Sequence, residues 1–351
     1  MAASGNTAVA ARPGAVLSAP ARLALGICLC VLIAALSLVA GNWVPLIGAP
    51  LIAIAIGVTI TNGLRAPLRI PLLRIGEVSK YALRGGIIIL GASLDIGDIA
   101  KAGWDSLPLL IITIAAGLAC ALGGGKLLGI DWRMRSLIGM GTTICGASAI
   151  AALSPVIRAK SEEIAYAVTV IFFFNMVAVF LFPVLGHLMG LSDAGFGLWA
   201  GTAVNDTSAV VAAGFAYSSD AGTAATIVKL TRTTLIIPLV VGFGLAMPWL
   251  EPADAKETTS LARRVYDAVP MFVVLFLLAA VLKTLGVFGA YGPDIQIVGR
   301  WVLVVALAAV GLQGHWRAFV GAGARPLLLG FLTWIAVAVT SLGIQFWTNS
   351  L

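Results

Sequence analysis

The sequence predicts an all-α polytopic membrane protein, and three observations carry that prediction. Of its 351 residues, 60% are hydrophobic and 11% charged, with a mean hydropathy of +1.05; a soluble domain carries roughly a quarter charged residues. Apolar runs of 18 or more residues recur from Arg22 to the C-terminus, each long enough to cross a bilayer as a helix. The polar stretches between them are short, the longest being the first 20 residues and Glu251–Asp267, so no soluble domain is expected outside the membrane.

The domain reading is simple. Residues 1–21 are polar and rich in small residues, and are expected to form a disordered cytoplasmic tail rather than a cleaved signal peptide. Residues 22–351 form a single transmembrane domain. The net charge of +7 is spread through short loops, which fits the positive bias of cytoplasmic loops and excludes a nucleic-acid partner. Cys28, Cys30, Cys120 and Cys145 all fall in apolar segments without metal-ligand spacing, so they read as buried small hydrophobes, and no cofactor is implied.

About eleven spanning segments can be drawn: 22–41, 44–62, 77–95, 105–128, 135–158, 162–189, 192–216, 221–250, 266–287, 295–316 and 323–347. With the N-terminus inside, fifteen basic residues fall inside and five (Lys101, Arg158, Lys160, Lys283, Arg300) outside, which predicts a cytoplasmic N-terminus. Lys229 and Arg232 remain, within the eighth segment. Trp43, Trp104, Trp132, Trp199, Trp301 and Trp316 lie near segment ends and read as an interfacial belt.

Segments 2–6 and 7–11 form two sets of five, predicting two inverted repeats, 44–189 and 192–347. GVTITNG at Gly57 pairs with GTAVND at Gly201, Arg84-GGIIILG with Arg232-TTLIIPL, and Arg135…Cys145-Gly-Ala-Ser148 with Arg300…Val310-Gly-Leu-Gln313. A further likeness cuts across this pairing. GTTICGASAIAA at Gly141 shares its skeleton with GTAVNDTSAVVAA at Gly201. Two helices separated by a single long one run parallel, so this likeness is not expected to be the inverted relation and is read as only a shared need for small, polar, unwindable middles.

Segment 5 holds Thr142, Thr143, Cys145, Gly146, Ala147 and Ser148 among three glycines in eight residues, a composition that favours a helix break. Broken helices expose backbone groups that transporters use to hold ions and substrates; the alternative is close packing through small residues. Gly311 and Gln313 are the equivalents in segment 10, so broken crossing helices are expected near 145–148 and 311–313.

Segment 7 places Asn205, Asp206, Thr207 and Ser208 in a row, and Asp206 is the one acid of 15 that falls well inside an apolar segment as drawn. At about 18 Å from its segment's start it lies near the midplane, where an ionised carboxylate is costly. Lys229 and Arg232, roughly 12 and 17 Å deep and three residues apart, share one helix face. Either they neutralise Asp206, or two cations facing one anion leave a surplus positive charge that selects an anionic substrate. Asn175 is a lone amide that reads as an interhelical hydrogen bond, and Thr61 and Asn62 are weaker pocket candidates. His187 and His315 read as interfacial.

GTTICGASAIAALSPVI, IFFFNMVAVFLFP, GTAVNDTSAVVAAG and the VKLTR run before Pro238 together resemble the YeiH family of bacterial inner-membrane proteins, a family labelled sulfate exporters. The likeness covers the chain after about Arg22. It implies kinship with sodium/proton antiporters, bile-acid sodium symporters and the beta subunits of sodium-pumping decarboxylases. From that kinship follow a panel domain, a core domain with two crossing broken helices, and a possible homodimer using the extra first helix. Antiporter relatives carry paired acids where Asn205-Asp206 supplies one.

The function expected is therefore secondary active transport of a small anion, sulfate or a related oxyanion, across the bacterial inner membrane. Lys229 or Arg232 supplies positive charge, and Asp206 couples to a proton or sodium ion. The rival within transport is a cation/proton antiporter using Asp206. A membrane-embedded hydrolase using Ser148 or Ser208 finds no GxSxG, HExxH or midplane histidine, so no enzyme is expected.

Overall fold

The computed structural model of the protein describes residues 18–43, 48–63, 73–250, 271–314 and 323–351. The described residues contain helices and turns and no strand. Outside them lie most of the expected tail, the basic residues Arg12, Arg65, Arg69, Lys256, Arg263, Arg264 and Arg317, and also His315 and Trp316.

The helices, in order, are α1 (Ala19–Trp43), α2 (Gly48–Gly63), α3 (Ile75–Gly91), α4 (Ile96–Leu127), α5 (Trp132–Thr143), α6 (Ala147–Leu153) and α7 (Ser161–Met189). There follow α8 (Asp193–Ala203), α9 (Thr207–Tyr217), α10 (Ser219–Thr234), α11 (Ile236–Leu250), α12 (Met271–Thr284), α13 (Gly292–Gln313) and α14 (Ala324–Trp347). Six stretches are long and apolar enough to cross a membrane: α1, α4, α7, α10 with α11, α13 and α14. α2 and α12 are shorter apolar helices.

Segments 5 and 7 are not single helices. α5 has 12 residues and α6 seven, while α8 and α9 have 11 each, lengths of roughly 10–18 Å against a hydrocarbon core of about 30 Å. Each pair folds back on itself. Arg133 Nε, in the first turn of α5, donates to the Ile157 carbonyl after α6 at 3.1 Å. Phe196 at the start of α8 stacks on Tyr217 at the end of α9, ring centroids 3.9 Å apart. Both pairs are helical hairpins, hairpin 1 (α5–α6) and hairpin 2 (α8–α9).

They approach from opposite ends of α7. Hairpin 1 opens where α7 begins, since Ile157 is four residues before Ser161. Hairpin 2 opens where α7 ends: Tyr217 donates to the Leu191 carbonyl and its ring lies 4.2 Å from that of His187. With 29 residues, α7 is roughly 43 Å long, so the two openings face opposite sides and the tips meet between them.

Packing around hairpin 2 uses small residues and aromatic stacks. Added Cβ atoms at Gly197 and Gly214 would lie 3.0 and 3.3 Å from the Ala221 carbonyl, so both arms rest on α10 at one level. Trp199, expected in the interfacial belt, is instead 2% exposed and stacks on Phe182 at 4.2 Å. Trp43 and Trp104 are exposed, at 84% and 75%. Of the cysteines Cys28 is exposed, against expectation, while Cys30 and Cys145 are buried.

Two further boundaries differ. α4 begins at Ile96 rather than 105, which brings Asp98 and Asp105 within an apolar helix, both at exposed positions. α13 stays helical through Gly311–Gln313 and ends at Gly314, beside the expected second break, and residues 315–322 beyond it lie outside the described residues. An added Cβ at Gly311 would lie 2.5 Å from the Ile54 carbonyl oxygen, which makes Gly311 a packing residue between α13 and α2.

Candidate functional site

The tips of the two hairpins form the candidate site. Hairpin 1 turns at Ile144–Gly146, and Gly146 has φ +68° and ψ −131°, a conformation reserved for glycine. A Cβ there would stand 3.3 Å from Cβ of Asp206. The only space at that point is backbone-deep, and tip touches tip.

Hairpin 2 turns at Val204–Asp206. Three residues out of helical geometry free backbone groups that an apolar surrounding cannot satisfy, and side chains from three other helices take them up. Trp334 Nε1 on α14 donates to the Ala203 carbonyl at 3.0 Å. Lys229 Nζ on α10 donates to the Val204 carbonyl at 2.7 Å. Asn175 Oδ1 on α7 accepts from the amides of Asn205 and Asp206 at 3.2 and 3.0 Å. Asn175 is thus an interhelical hydrogen-bonding residue, as its isolation suggests, and its partner is the site itself.

Asp206 is the N-cap of α9. Its Oδ2 accepts from the Ser208 amide at 3.0 Å and from the Ser208 hydroxyl, the usual way a helix start is satisfied. The residue remains partly accessible, as do Thr207 and Ser208, and with Asn175 and Ser208 it lines a small cavity closed by Ile54 and Val310. Asn205 is 1% exposed and its side-chain oxygen has no hydrogen-bond partner among the described residues.

Lys229 and Arg232 are both 0% exposed. Neither forms an ion pair with Asp206 within 4 Å among the described residues, so the neutralising pair is absent from this conformation. The nitrogens of Arg232, Nε, Nη1 and Nη2, make no hydrogen bond to any described residue. Cys145 nonetheless sits within electrostatic reach of Asp206, Lys229 and Arg232, and Lys229 within reach of Asp206. An uncompensated guanidinium is costly in such surroundings. It is also a planar, permanently charged donor fork suited to oxyanions.

Not every expected site residue gathers here. Cys145 and Gly146 are at the tip of hairpin 1; Ala147 and Ser148 follow on an exposed face of α6. Thr143 donates to the Gly139 carbonyl at 2.8 Å and packs on Gly117 of α4, and Thr142 is buried in the same helix. Thr61 and Asn62 bind the end of α13, Thr61 donating to the Leu312 carbonyl at 2.9 Å and Asn62 to the Gly314 carbonyl at 2.6 Å. Gln313 donates to the Ala309 carbonyl at 3.1 Å and lies beside Gly76. Gly311 packs on α2 and Gln313 lies beside α3. Trp334 escaped sequence reasoning because an indole in a transmembrane run carries no positional signal. Among the described residues, no group of three His, Cys, Asp or Glu side chains could hold a metal ion.

A family profile described as Conserved hypothetical protein 698 matches residues 25–330. A UPF0324 membrane protein from Streptococcus pyogenes serotype M6 is 39% identical over 328 residues, 91% of this chain and 96% of that protein. UPF0324 membrane proteins from Streptococcus agalactiae serotype V and Streptococcus pneumoniae strain R6 are each 38% identical over 328 residues, with the same coverage. No solved structure matches the chain at a significant level.

Proposed function

The chain belongs to the conserved hypothetical protein 698 family, the UPF0324 membrane proteins, and from that premise we propose a secondary active transporter of a small anion held between opposed re-entrant hairpins. One observation carries the reading: Arg232 is fully buried beside the tips with all three nitrogens free of hydrogen bonds to described residues. With Lys229 it outweighs Asp206 by one charge, so an anion lowers the cost of the cluster and a cation raises it. Three N–H-bearing nitrogens in one plane favour an oxyanion or carboxylate with two acceptors over a halide. Sulfate and related oxyanions fit, in keeping with the resemblance to the YeiH proteins.

In this proposal α2, α3 and α12 also cross, giving nine crossings and two hairpins in place of eleven spans. The N-terminus stays cytoplasmic and the C-terminus outside. Arg158 and Lys160 move to the inside, and the basic bias rises from fifteen against five to seventeen against three, which supports an inner-membrane orientation. The inverted relation passes from the five-helix repeats, whose register pairs each hairpin with a crossing helix, to the hairpins themselves. Substrate reaches the tips alternately from the two sides, and Asp206 carries the coupling proton or sodium ion. Transport, not catalysis, is the activity.

The test is flux of radiolabelled sulfate into proteoliposomes under proton, sodium and potential gradients. Flux above protein-free liposomes is expected, with Arg232→Gln falling to background and Asp206→Asn altering which gradient drives it. Absence of flux under every gradient sinks the sulfate assignment. The cation/proton antiporter is the second reading, favoured by the buried Asn205 oxygen that has no donor beside Asp206. It requires the reverse pattern, with Asp206→Asn inactive and Arg232→Gln active.

A further inference from the structure

A second polar cluster lies away from the tips, in a cavity of about 590 Å³ where α4 and α10 begin and α14 ends. Helices α4, α8, α10 and α14 wall it, largely with aliphatic side chains such as Leu109, Leu198, Val228 and Ile344. Its polar members are Asp105 and Ser106 on α4, and Gln345, Thr348 and Ser350 at the end of α14. Asp105 is the acid that the early start of α4 places inside a membrane helix, about 14 Å from its first residue. It is exposed to the cavity, and among the described residues no base forms an ion pair with it.

Gln345 is the second, independent observation. It is 0% exposed, and its Oε1 has no hydrogen-bond partner among the described residues. Its Nε2 donates to Ser341 Oγ at 3.1 Å, Ser341 Oγ lies 2.7 Å from Thr202 Oγ1, and Thr202 donates to the Leu198 and Trp199 carbonyls at 2.9 Å. Each hydroxyl has one proton to pass on, so the relay runs one way and leaves Oε1 as an acceptor without a partner among the described residues. Ser106 and Thr348 spend their protons on the Gly103 and Ile344 carbonyls. What these side chains offer the cavity is therefore acceptors: a carboxylate, an amide oxygen and hydroxyl lone pairs.

A predominance of acceptors, one of them anionic, over an aliphatic wall calls for a ligand that is cationic, rich in N–H donors and apolar behind. The geometry points to a binding site for a primary ammonium group with an aliphatic body, held between Asp105 and Gln345. An ammonium has three donors and no acceptor, so it leaves nothing unpaired, and the volume lies in the usual range for small-molecule sites. A soluble alkylamine and the headgroup of an aminophospholipid share this chemistry. The site is independent of the anion reading at the hairpin tips.

Two arms test it on the full chain. In neutral detergent, calorimetric titration with n-butylammonium chloride is compared with n-butanol. In nanodiscs, the thermal midpoint is compared between phosphatidylethanolamine and phosphatidylcholine. Butylammonium is expected to bind where butanol does not, with Asp105→Asn weakening it about tenfold or more and Asp105→Glu restoring part. A midpoint higher in phosphatidylethanolamine and levelled by Asp105→Asn assigns the lipid headgroup; butylammonium binding without that lipid effect assigns a soluble amine. Arg232→Gln is expected to bind butylammonium normally, which separates this site from transport. Equal binding of butanol, indifference to Asp105→Asn, or no response in either arm overturns the proposal.

Discussion

At the scale of single residues, the hairpin tips depend on a few side chains with no substitutes. Gly146 combines positive φ with contact to Asp206. Gly146→Ala is expected to cost about 1–3 kcal/mol from the backbone conformation alone, and it also pushes the tips apart. A lowered thermal midpoint together with lost sulfate flux checks this. Asn175 is replaceable by nothing apolar, because one oxygen serves two buried amides. Asn175→Leu leaves both without an acceptor, at about 1–3 kcal/mol each. The midpoint of the purified variant reports it, and an unchanged midpoint means that the tip opens to other partners. Asp206 shows how a costly acid is tolerated: it caps α9, a role its sequence context DTS already allows.

At the scale of elements, the break in segment 7 was written in the sequence as punctuation. Ser192, Asp206 and Ser218 are N-caps of successive helices, each accepting from an amide two or three residues on, and the helices between them are too short to cross a bilayer. Hydropathy masked this, since an apolar hairpin and an apolar span have the same composition. The likeness between GTTICGASAIAA and GTAVNDTSAVVAA also gains its meaning here. As spans these stretches would be parallel; as hairpins opening at opposite ends of α7 they are opposed. Site-directed labelling distinguishes the two arrangements. In a background free of native cysteines, single cysteines at Arg133 and Arg158 are expected to react from one side of the membrane, and those at Ser192 and Ser218 from the other. Labelling of Arg133 and Arg158 positions from opposite sides means that segment 5 crosses.

At the scale of the molecule, the hairpins are held by a frame of longer helices, and α7 and α10 are its posts. A contact of the frame outside the hydrocarbon is testable by pH. Lys283 at the end of α12 donates to Asp95 in the turn before α4, and that hydrogen bond and charge hold the Asp95 carboxyl below its ordinary value of 3.8. A carboxyl lowered in the folded state contributes stability above its unfolded value and loses it as pH falls through the lowered one. Asp95→Asn is therefore expected to lower the midpoint slightly at neutral pH, with the difference from the parent shrinking below about pH 4. The pair is half-exposed, so salt weakens it. A difference constant with pH means that the pair contributes nothing.

The sequence by itself determined the membrane class, the order of the apolar stretches, the glycine-marked break in segment 5 and the singular cluster of Asn205, Asp206, Lys229 and Arg232. These follow from composition and local backbone preference, which are properties of short stretches. Only the tertiary structure decided that segments 5 and 7 turn back, that the turn at 144–146 meets the turn at 204–206, and that Lys229 answers a backbone carbonyl instead of Asp206. A freed carbonyl or amide in an apolar interior must find a partner, and the one it finds depends on which helices lie alongside. That adjacency is set by packing over distances no local pattern encodes.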